Sequence, residues 1–292
     1  MKGRDPPYGS RVQSPNPEST MPTNPAAAGF LQRIAADRRH RVEELKQRMP
    51  AYQLRTRLPA TRPAGRLERA LRRGDAAGPL KLLCEIKRAS PSKGVLKADL
   101  DPVAMARTYQ EGGAAAISLV TEPDHFQGDV AWLDAVRPAV TLPLLLKDFV
   151  IDSYQIVDAA VRGADGVLLL AALLSDVLLQ RLITEARLLG LDCLVEVHDG
   201  DELKMSLRAG ATLIGINNRD LRTFEVDPAT SIDLLPQVPR LVTAVAESGL
   251  SRPEELARLR ATRCDAVLMG EVFMTSPDPA RTLAGLLAAA RG

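Results

Sequence analysis

Beyond residue 80 the chain alternates between short apolar runs and longer stretches in which apolar residues recur every third or fourth position. The runs at 82–87, 115–121, 144–149, 166–170, 193–197, 213–217, 241–246 and 266–269 have strand length. The stretches at 102–111, 130–140, 153–162, 175–189, 200–208, 228–235, 252–260 and 277–291 have helical spacing. Several joints from helix to strand carry glycine then alanine, as at Gly112-Gly113-Ala114, Gly163-Ala164 and Gly210-Ala211. Such joints suit a left-handed helix end that leads into a buried strand. The strand runs are almost continuously apolar, as parallel strands covered on both faces require. Eight strand–helix units within about 210 residues predict an α/β fold, a (β/α)8 TIM barrel. A doubly wound open sheet is the alternative; the lack of G-x-G-x-x-G after the first strand counts against its dinucleotide-binding version.

The first 25 residues break this rhythm. They are rich in Pro, Ser, Asn and Gly and hold almost no large apolar side chain, so burial does not offset their ordering entropy and a disordered tail is expected. Met21 is an alternative first residue to Met1. From 26 to 49, Phe30, Leu31, Ile34, Val42, Leu45 and Met49 recur at helical spacing among many charges. This predicts an amphipathic helix stopped by Pro50, with its arginine clusters on a solvated face. A second short helix is expected over 65–73. The domain reading is thus a tail, 1–25, and one barrel domain, 26–292, that includes a helical extension over 26–80.

Composition narrows the function without fixing it. A chain of 292 residues with a 46% hydrophobic and 25% charged content is an ordinary globular protein with a sizeable core. A net charge of +2 and 3% aromatics give no electrostatic footprint or stacking platform for nucleic acid. The three cysteines, Cys84, Cys193 and Cys264, lie far apart in apolar runs and read as buried thiols of a reducing compartment. The longest apolar stretch, 167–179, is interrupted by Ser175-Asp176 and too short to span a bilayer, and no signal-type N-terminus is evident. A cytoplasmic protein without a membrane partner is expected, as a monomer or weak homo-oligomer.

The informative residues are charges in runs that should be dry. A buried charge costs several kcal/mol or more unless paired, so ionisable groups at strand ends call for a reason. In a barrel the active site lies at the C-terminal ends of the strands. There the first strand supplies Glu85, Lys87 and then Ser90; the third, Lys147; the fifth, Glu196; the sixth, Asn217 with Arg219 beyond; the seventh, Glu247. Ser248-Gly249 and Gly270 follow the seventh and eighth strands, where barrels of this kind hold phosphate on backbone N–H groups, and Ser90 adds a hydroxyl. Cations and carboxylates facing one another push pKa values apart and assign acids and bases: Lys147 or Lys87 to donate a proton, Glu196 or Glu85 to accept one. No cysteine cluster, His pair or carboxylate triad has metal-ligand spacing, and no Ser or Cys stands beside a histidine as a nucleophile. His198, two residues after Glu196, is given a secondary role.

Six motifs then carry a resemblance: Glu-Ile-Lys-Arg-Ala-Ser-Pro-Ser-Lys-Gly from Glu85, Leu-Leu-Lys-Asp-Phe through Lys147, Leu-Val-Glu-Val-His through Glu196, Gly-Ile-Asn-Asn-Arg-Asp-Leu through Asn217, Ala-Glu-Ser-Gly through Glu247, and Met-Gly-Glu-Val-Phe-Met through Gly270. In this order, one per strand end, they resemble the indole-3-glycerol-phosphate synthases, over a span from about Phe30 to the C-terminus. The resemblance implies ring closure, decarboxylation and dehydration of 1-(2-carboxyphenylamino)-1-deoxy-D-ribulose 5-phosphate in tryptophan biosynthesis, with no cofactor and no metal. It implies Lys147 as the general acid at the substrate carbonyl, Lys87 as partner of the substrate carboxylate and a second acid, Glu196 as the base of the elimination steps, and Glu85 as a second, orienting carboxylate. Asn217 and Glu247 would hold the lysines and substrate hydroxyls, and Arg219 the anthranilate carboxylate. Phe126, Phe149 and Leu168 would form the aromatic slot, and Ser90, Ser248, Gly249 and Gly270 the phosphate site. Glu271, beside that site, should point away. Lys93 is a candidate mobile cation or a solvated loop residue.

Two other readings fit less well. Phosphate-binding barrel isomerases use Cys/Asp or Asp/Asp pairs, which this set does not match, and a catalytically silent barrel should have lost some of the acids and bases.

Overall fold

The fold comes from a computed structural model, which describes residues 25–74, 78–221 and 223–292. Eight parallel strands close into a barrel: β1 (Lys81–Ile86), β2 (Ala116–Val120), β3 (Leu144–Lys147), β4 (Gly166–Leu170), β5 (Asp192–Val197), β6 (Leu213–Asn217), β7 (Thr243–Glu247) and β8 (Ala266–Met269). Each pairs with its neighbours in sequence, and β1 closes the ring by pairing Leu82 with Val267 of β8. The expected TIM barrel is therefore the fold, and the open sheet is set aside. Residues 1–24 of the expected tail, Met21 among them, lie outside the described residues, and Pro25 opens the first helix.

The helices are α1 (Pro25–Arg48), α2 (Ala51–Arg55), α3 (Arg66–Leu71), α4 (Pro102–Gly112), α5 (Ala131–Val136), α6 (Ser153–Val161), α7 (Asp176–Leu188), α8 (Gly200–Arg208), α9 (Ala229–Leu234), α10 (Pro253–Arg260), α11 (Glu271–Met274) and α12 (Pro279–Arg291). Local chemistry sets several starts. Asp101 and Asp199 accept backbone N–H bonds from the first turns of α4 and α8, and Asp152 with Gln155 forms a capping box on α6. Pro50 ends α1 as expected, but its carbonyl then accepts from Gln53 and Leu54 and opens the unexpected α2. A proline φ of −56° suits a helix start as well as a stop. The segment after β1 folds into a small antiparallel ribbon in which Ala89–Ser90 pairs with Gly94–Val95.

Strand pleating sorts the core. Outward residues such as Leu82, Cys84 and Ile86 pack under the helical ring. Inward residues Leu83, Leu145, Leu194, Leu213 and Val245 stack inside the barrel. That inner column is closed at its lower end by Leu67 and Leu71 of α3, both fully buried, and extends at the other to Ile34 of α1. Seven of the predicted strands begin within a residue of the observed position; the seventh does not. Leu241 is 82% exposed and its carbonyl accepts a bond from Arg72, so β7 starts at Thr243 and reaches Glu247.

The solvated arginine face expected on α1 holds for Arg33, Arg39 and Arg48, which are exposed, but not for Arg38. Arg38 donates to Asp148, at the end of β3, at 2.6 Å with only 12% of its side chain exposed. Arg41 pairs with Asp124 and Lys46 with Asp152. These ties bind α1 to the loops that follow β2 and β3.

Candidate active site

The inward positions that hold leucine deep in the barrel hold charge one step higher. Two residues above Leu83 stands Glu85; above Leu145, Lys147; above Leu194, Glu196; above Val245, Glu247; four above Leu213, Asn217. The strand period of two thus turns five independent sequences into one polar layer over an apolar column. The layer floors a cavity of about 150 Å³, many times what one water needs and room for a small organic molecule. Thirteen of the fourteen residues expected at the site line it: Glu85, Lys87, Ser90, Phe126, Lys147, Phe149, Leu168, Glu196, Asn217, Arg219, Ser248, Gly249 and Gly270. The exception is Glu247, fully buried beneath the floor, which acts on the cavity only through its neighbours.

Glu85 is the hub. One carboxylate oxygen accepts from Lys87 Nζ at 2.7 Å and the other from Lys147 Nζ at 2.9 Å. Burial alone would raise the Glu85 pKa, but the two ammonium groups outweigh it and bring it down to about 2. Burial likewise pulls Lys147 down, yet Glu85, Glu247 and Glu196 together carry it above the ordinary lysine value. Glu247 lies 3.5 Å from Lys147, and neither of its oxygens has a hydrogen-bond partner. Desolvation, reinforced by Glu196 and Glu85, raises it to about 8 against the pull of Lys147. At neutral pH the layer therefore holds an ionised Glu85 and Glu196 and a protonated Glu247. Room for that side chain comes from Gly215, opposite on β6: a Cβ there would sit 2.0 Å from Glu247 Oε1. Gly270 serves Glu85 in the same way, since a Cβ would come 2.8 Å from the Glu85 Cβ.

Asn217 departs from expectation. It donates to Glu196 Oε1 at 2.9 Å and accepts from the Arg219 backbone at 2.9 Å, so it orients Glu196 and its own loop rather than bonding to the lysines. Arg219 reaches the cavity while donating to the Phe224 carbonyl at 3.0 Å.

The apolar wall is Phe126 and Phe149, with ring centres 6.3 Å apart and planes tilted by 44°, joined by Leu168 and by Leu221, which the sequence reading did not single out. Phe126 is placed by a buried carboxylate: Glu122 accepts three consecutive N–H groups, from Asp124, His125 and Phe126. The Phe126 carbonyl then accepts from Ala89 and ties this loop to the first one. On the opposite rim, Ser248 adopts φ +63°, a conformation unfavourable to any side chain. Asn218 helps to hold it there by donating to its carbonyl at 3.0 Å and accepting from Ser231 of α9. The Ser90 hydroxyl is buried without a partner and faces the cavity, as a group left for a ligand does. Gly270 opens the short α11, not predicted from sequence, beside Ser248-Gly249. Glu271 is among the residues around the cavity, and its partly exposed carboxylate lies 3.8 Å from Lys93 Nζ.

A family model described as Indole-3-glycerol phosphate synthase matches residues 31–286, nearly the whole described chain. The chain belongs to the indole-3-glycerol phosphate synthase family. It is a carboxy-lyase of tryptophan biosynthesis. The Indole-3-glycerol phosphate synthase of Carboxydothermus hydrogenoformans is 43% identical over 268 residues, covering 89% of this chain and 100% of that protein. Indole-3-glycerol phosphate synthase 1 of Streptomyces coelicolor is 44% identical over 246 residues, 84% and 90% of the two chains. Among solved structures, 3-hexulose-6-phosphate synthase from Salmonella typhimurium superposes with a TM-score of 0.58 at 16% identity, over 72% of this chain and 98% of that one, a likeness of fold. Among the described residues no helix is long and apolar enough to cross a membrane.

Proposed function

We propose that this synthase-family chain closes the indole ring of 1-(2-carboxyphenylamino)-1-deoxy-D-ribulose 5-phosphate in the cavity above Glu85, with Lys147 as general acid and Glu196 as general base. The observation that supports this is the division of hydrogen bonds in the polar layer: two lysines share one ionised carboxylate, Glu85, while the ionised Glu196, two strands along the barrel from Lys147, is hydrogen-bonded by Asn217 instead. Proton donor and acceptor thus have different hydrogen-bond partners and stand in the protonated and ionised states that their roles need.

The aromatic ring lies between Phe126 and Phe149, with Leu168 beneath it, and the phosphate lies at Ser90, Ser248, Gly249 and Gly270. That placement sets the ketose carbonyl over Lys147 and the anthranilate carboxylate between Lys87 and Arg219. As the ring carbon attacks the carbonyl, negative charge grows on its oxygen and Lys147 transfers a proton to it. The high pKa of Lys147 keeps that proton in place until the oxygen becomes basic enough to take it. Carbon dioxide leaves as aromaticity is restored; Glu196 then removes a proton from the new ring while Lys87, the second acid, protonates the departing hydroxyl, which leaves as water. Glu85 holds the Lys147 ammonium in place through their 2.9 Å contact. Glu247, neutral and buried, is a positioning residue that leaves Lys147 its charge without adding a third anion to the layer. The protein works in the cytoplasm as a monomer or weak homo-oligomer.

Steady-state formation of indole-3-glycerol phosphate tests the assignment. Wild type should turn over, and Lys147→Ala and Glu196→Gln should each lose roughly 10²–10⁴ in kcat. A Lys147→Ala enzyme with undiminished kcat removes the acid from this scheme.

A further inference from the structure

Behind Glu196 the structure holds a second charged chain, outside the cavity lining. His198 follows β5 with its imidazole on the same side as Glu196, and only 15% of its side chain is exposed. Its Nε2 lies 3.4 Å from Glu196 Oε1, and its Nδ1 lies 3.1 Å from Oε2 of Glu202, in the first turn of α8. The same Glu202 oxygen accepts the His198 backbone N–H at 2.8 Å, which fixes the carboxylate against the strand end. Asp199, the N-cap of α8, accepts in turn from the Glu202 backbone at 2.8 Å. A ring nitrogen facing a carboxylate on each side is matched on both sides only when both nitrogens carry hydrogen.

Asn217 Nδ2 donates to Glu196 Oε1 at 2.9 Å, and His198 Nε2 approaches the same oxygen at 3.4 Å as an ion-pair contact without hydrogen-bond geometry. Among the described residues no hydrogen bond engages Oε2. Glu196 lines the cavity and His198 does not. We propose that His198 is a positioning residue which, clamped between Glu202 and Glu196, anchors Oε1 and leaves Oε2 as the atom that takes the substrate proton, so that Glu196 and not Glu247 is the base of the site. This rests on the reading of Glu196 as general base. The charge balance agrees. Burial works against the imidazolium, but Glu196 and Glu202 raise its pKa to about 10. Burial also raises Glu196, and His198, then Lys147 and Asn217, overcome that and lower it. The charged groups facing Glu196 are Lys147 from β3, Glu247 from β7 and His198 from its own strand end, with Glu202 on α8 behind the ring.

The test is kcat against pH, from pH 4 to 9, for wild type, His198→Gln, Glu202→Gln and Glu196→Gln. Glutamine at 198 keeps an N–H donor and removes the charge. The ionised form of Glu196 then loses a cation, so its pKa rises and the acid limb of the profile moves to higher pH by about one unit or more. The plateau above that limb should return to within a few-fold of wild type. Glu202→Gln weakens the imidazolium and moves the limb in the same direction by less. A His198→Gln enzyme whose kcat falls equally at every pH, with its acid limb unmoved, has lost only structure and overturns the proposal. If that variant does not fold, an unmoved limb in Glu202→Gln overturns it instead. A Glu196→Gln enzyme with full kcat removes the base itself, a different failure that the profiles of the other two variants do not mimic.

Discussion

Three carboxylates within one layer do not share one protonation state, and the difference follows from what each touches. Glu85 meets two ammonium groups and is held near 2; Glu247 meets one, at 3.5 Å, with two carboxylates nearby, and is raised to about 8. Glutamine is close to isosteric with a neutral carboxylic acid, so Glu247→Gln at pH 7 should cost far less than the roughly 10²–10⁴ of removing an acid or base. The same substitution leaves a trace in stability. The unfolded chain ionises this glutamate near 4.5 and the folded one near 8, so the native protein binds the extra proton between those values. Native stability from this group is complete below about 4.5 and is lost as pH rises towards 8. Denaturant titrations between pH 5 and 8 should show wild type losing stability relative to Glu247→Gln with rising pH, by up to about 1.4 kcal/mol per unit. A difference that is flat or rises with pH contradicts a neutral Glu247.

α1 is held to the barrel by charge as well as by Ile34. Asp148 is buried; desolvation raises its pKa, and Arg38, Thr121 and the Phe149 N–H counter that. Arg38→Ala leaves a buried carboxylate short of its cation and should cost about 1.5–3 kcal/mol. Asp148→Asn in the same background should recover part of the loss, which calorimetric Tm values for the single and double variants will show. Arg41→Ala, which removes an exposed pair, should stay within about 1 kcal/mol. None of this was readable from sequence. The helix itself was, because its apolar residues recur at helical spacing. Arg38, however, lies 110 residues from Asp148, and a local pattern does not distinguish an arginine that will find a buried aspartate from one that will face water. The polar layer was legible for the opposite reason: a strand fixes which residues share a face, so Glu85 with Lys87, and Leu194 with Glu196, declared their side in advance. His198 obeyed the same rule, but its importance depends on Glu202, on the next helix. At β7 the apolar run continued to Leu241 although pairing begins at Thr243, because hydrophobicity alone marks neither the start of a ladder nor a side chain left in water.

Taken together, the barrel is a tube stoppered at its lower end and chemically active at the other. Leu67 and Leu71 fill the lower mouth, distant from the polar layer in the same inner column. Leu71→Ala should therefore lower the denaturant midpoint, by about 2–5 kcal/mol in stability, while kcat per folded molecule is unchanged. A fall in kcat with stability intact would mean that the lower mouth is coupled to the chemistry. The barrel and its polar layer were both foreseeable from eight repeats and five strand ends; the short helix at 66–71 was foreseeable too, but not its place as the stopper, because its burial depends on closure of the ring around it. The different partners of Lys147 and Glu196 underlie the proposal that they serve different steps. Carbon dioxide and indole-3-glycerol phosphate measured in the same single turnover address it directly. Lys147→Ala should release neither at an appreciable rate, because the ring does not close. Glu196→Gln should release carbon dioxide and form the indole product more slowly by roughly 10²–10⁴. Equal loss of both products in Glu196→Gln, or normal carbon dioxide release from Lys147→Ala, would contradict the assignment.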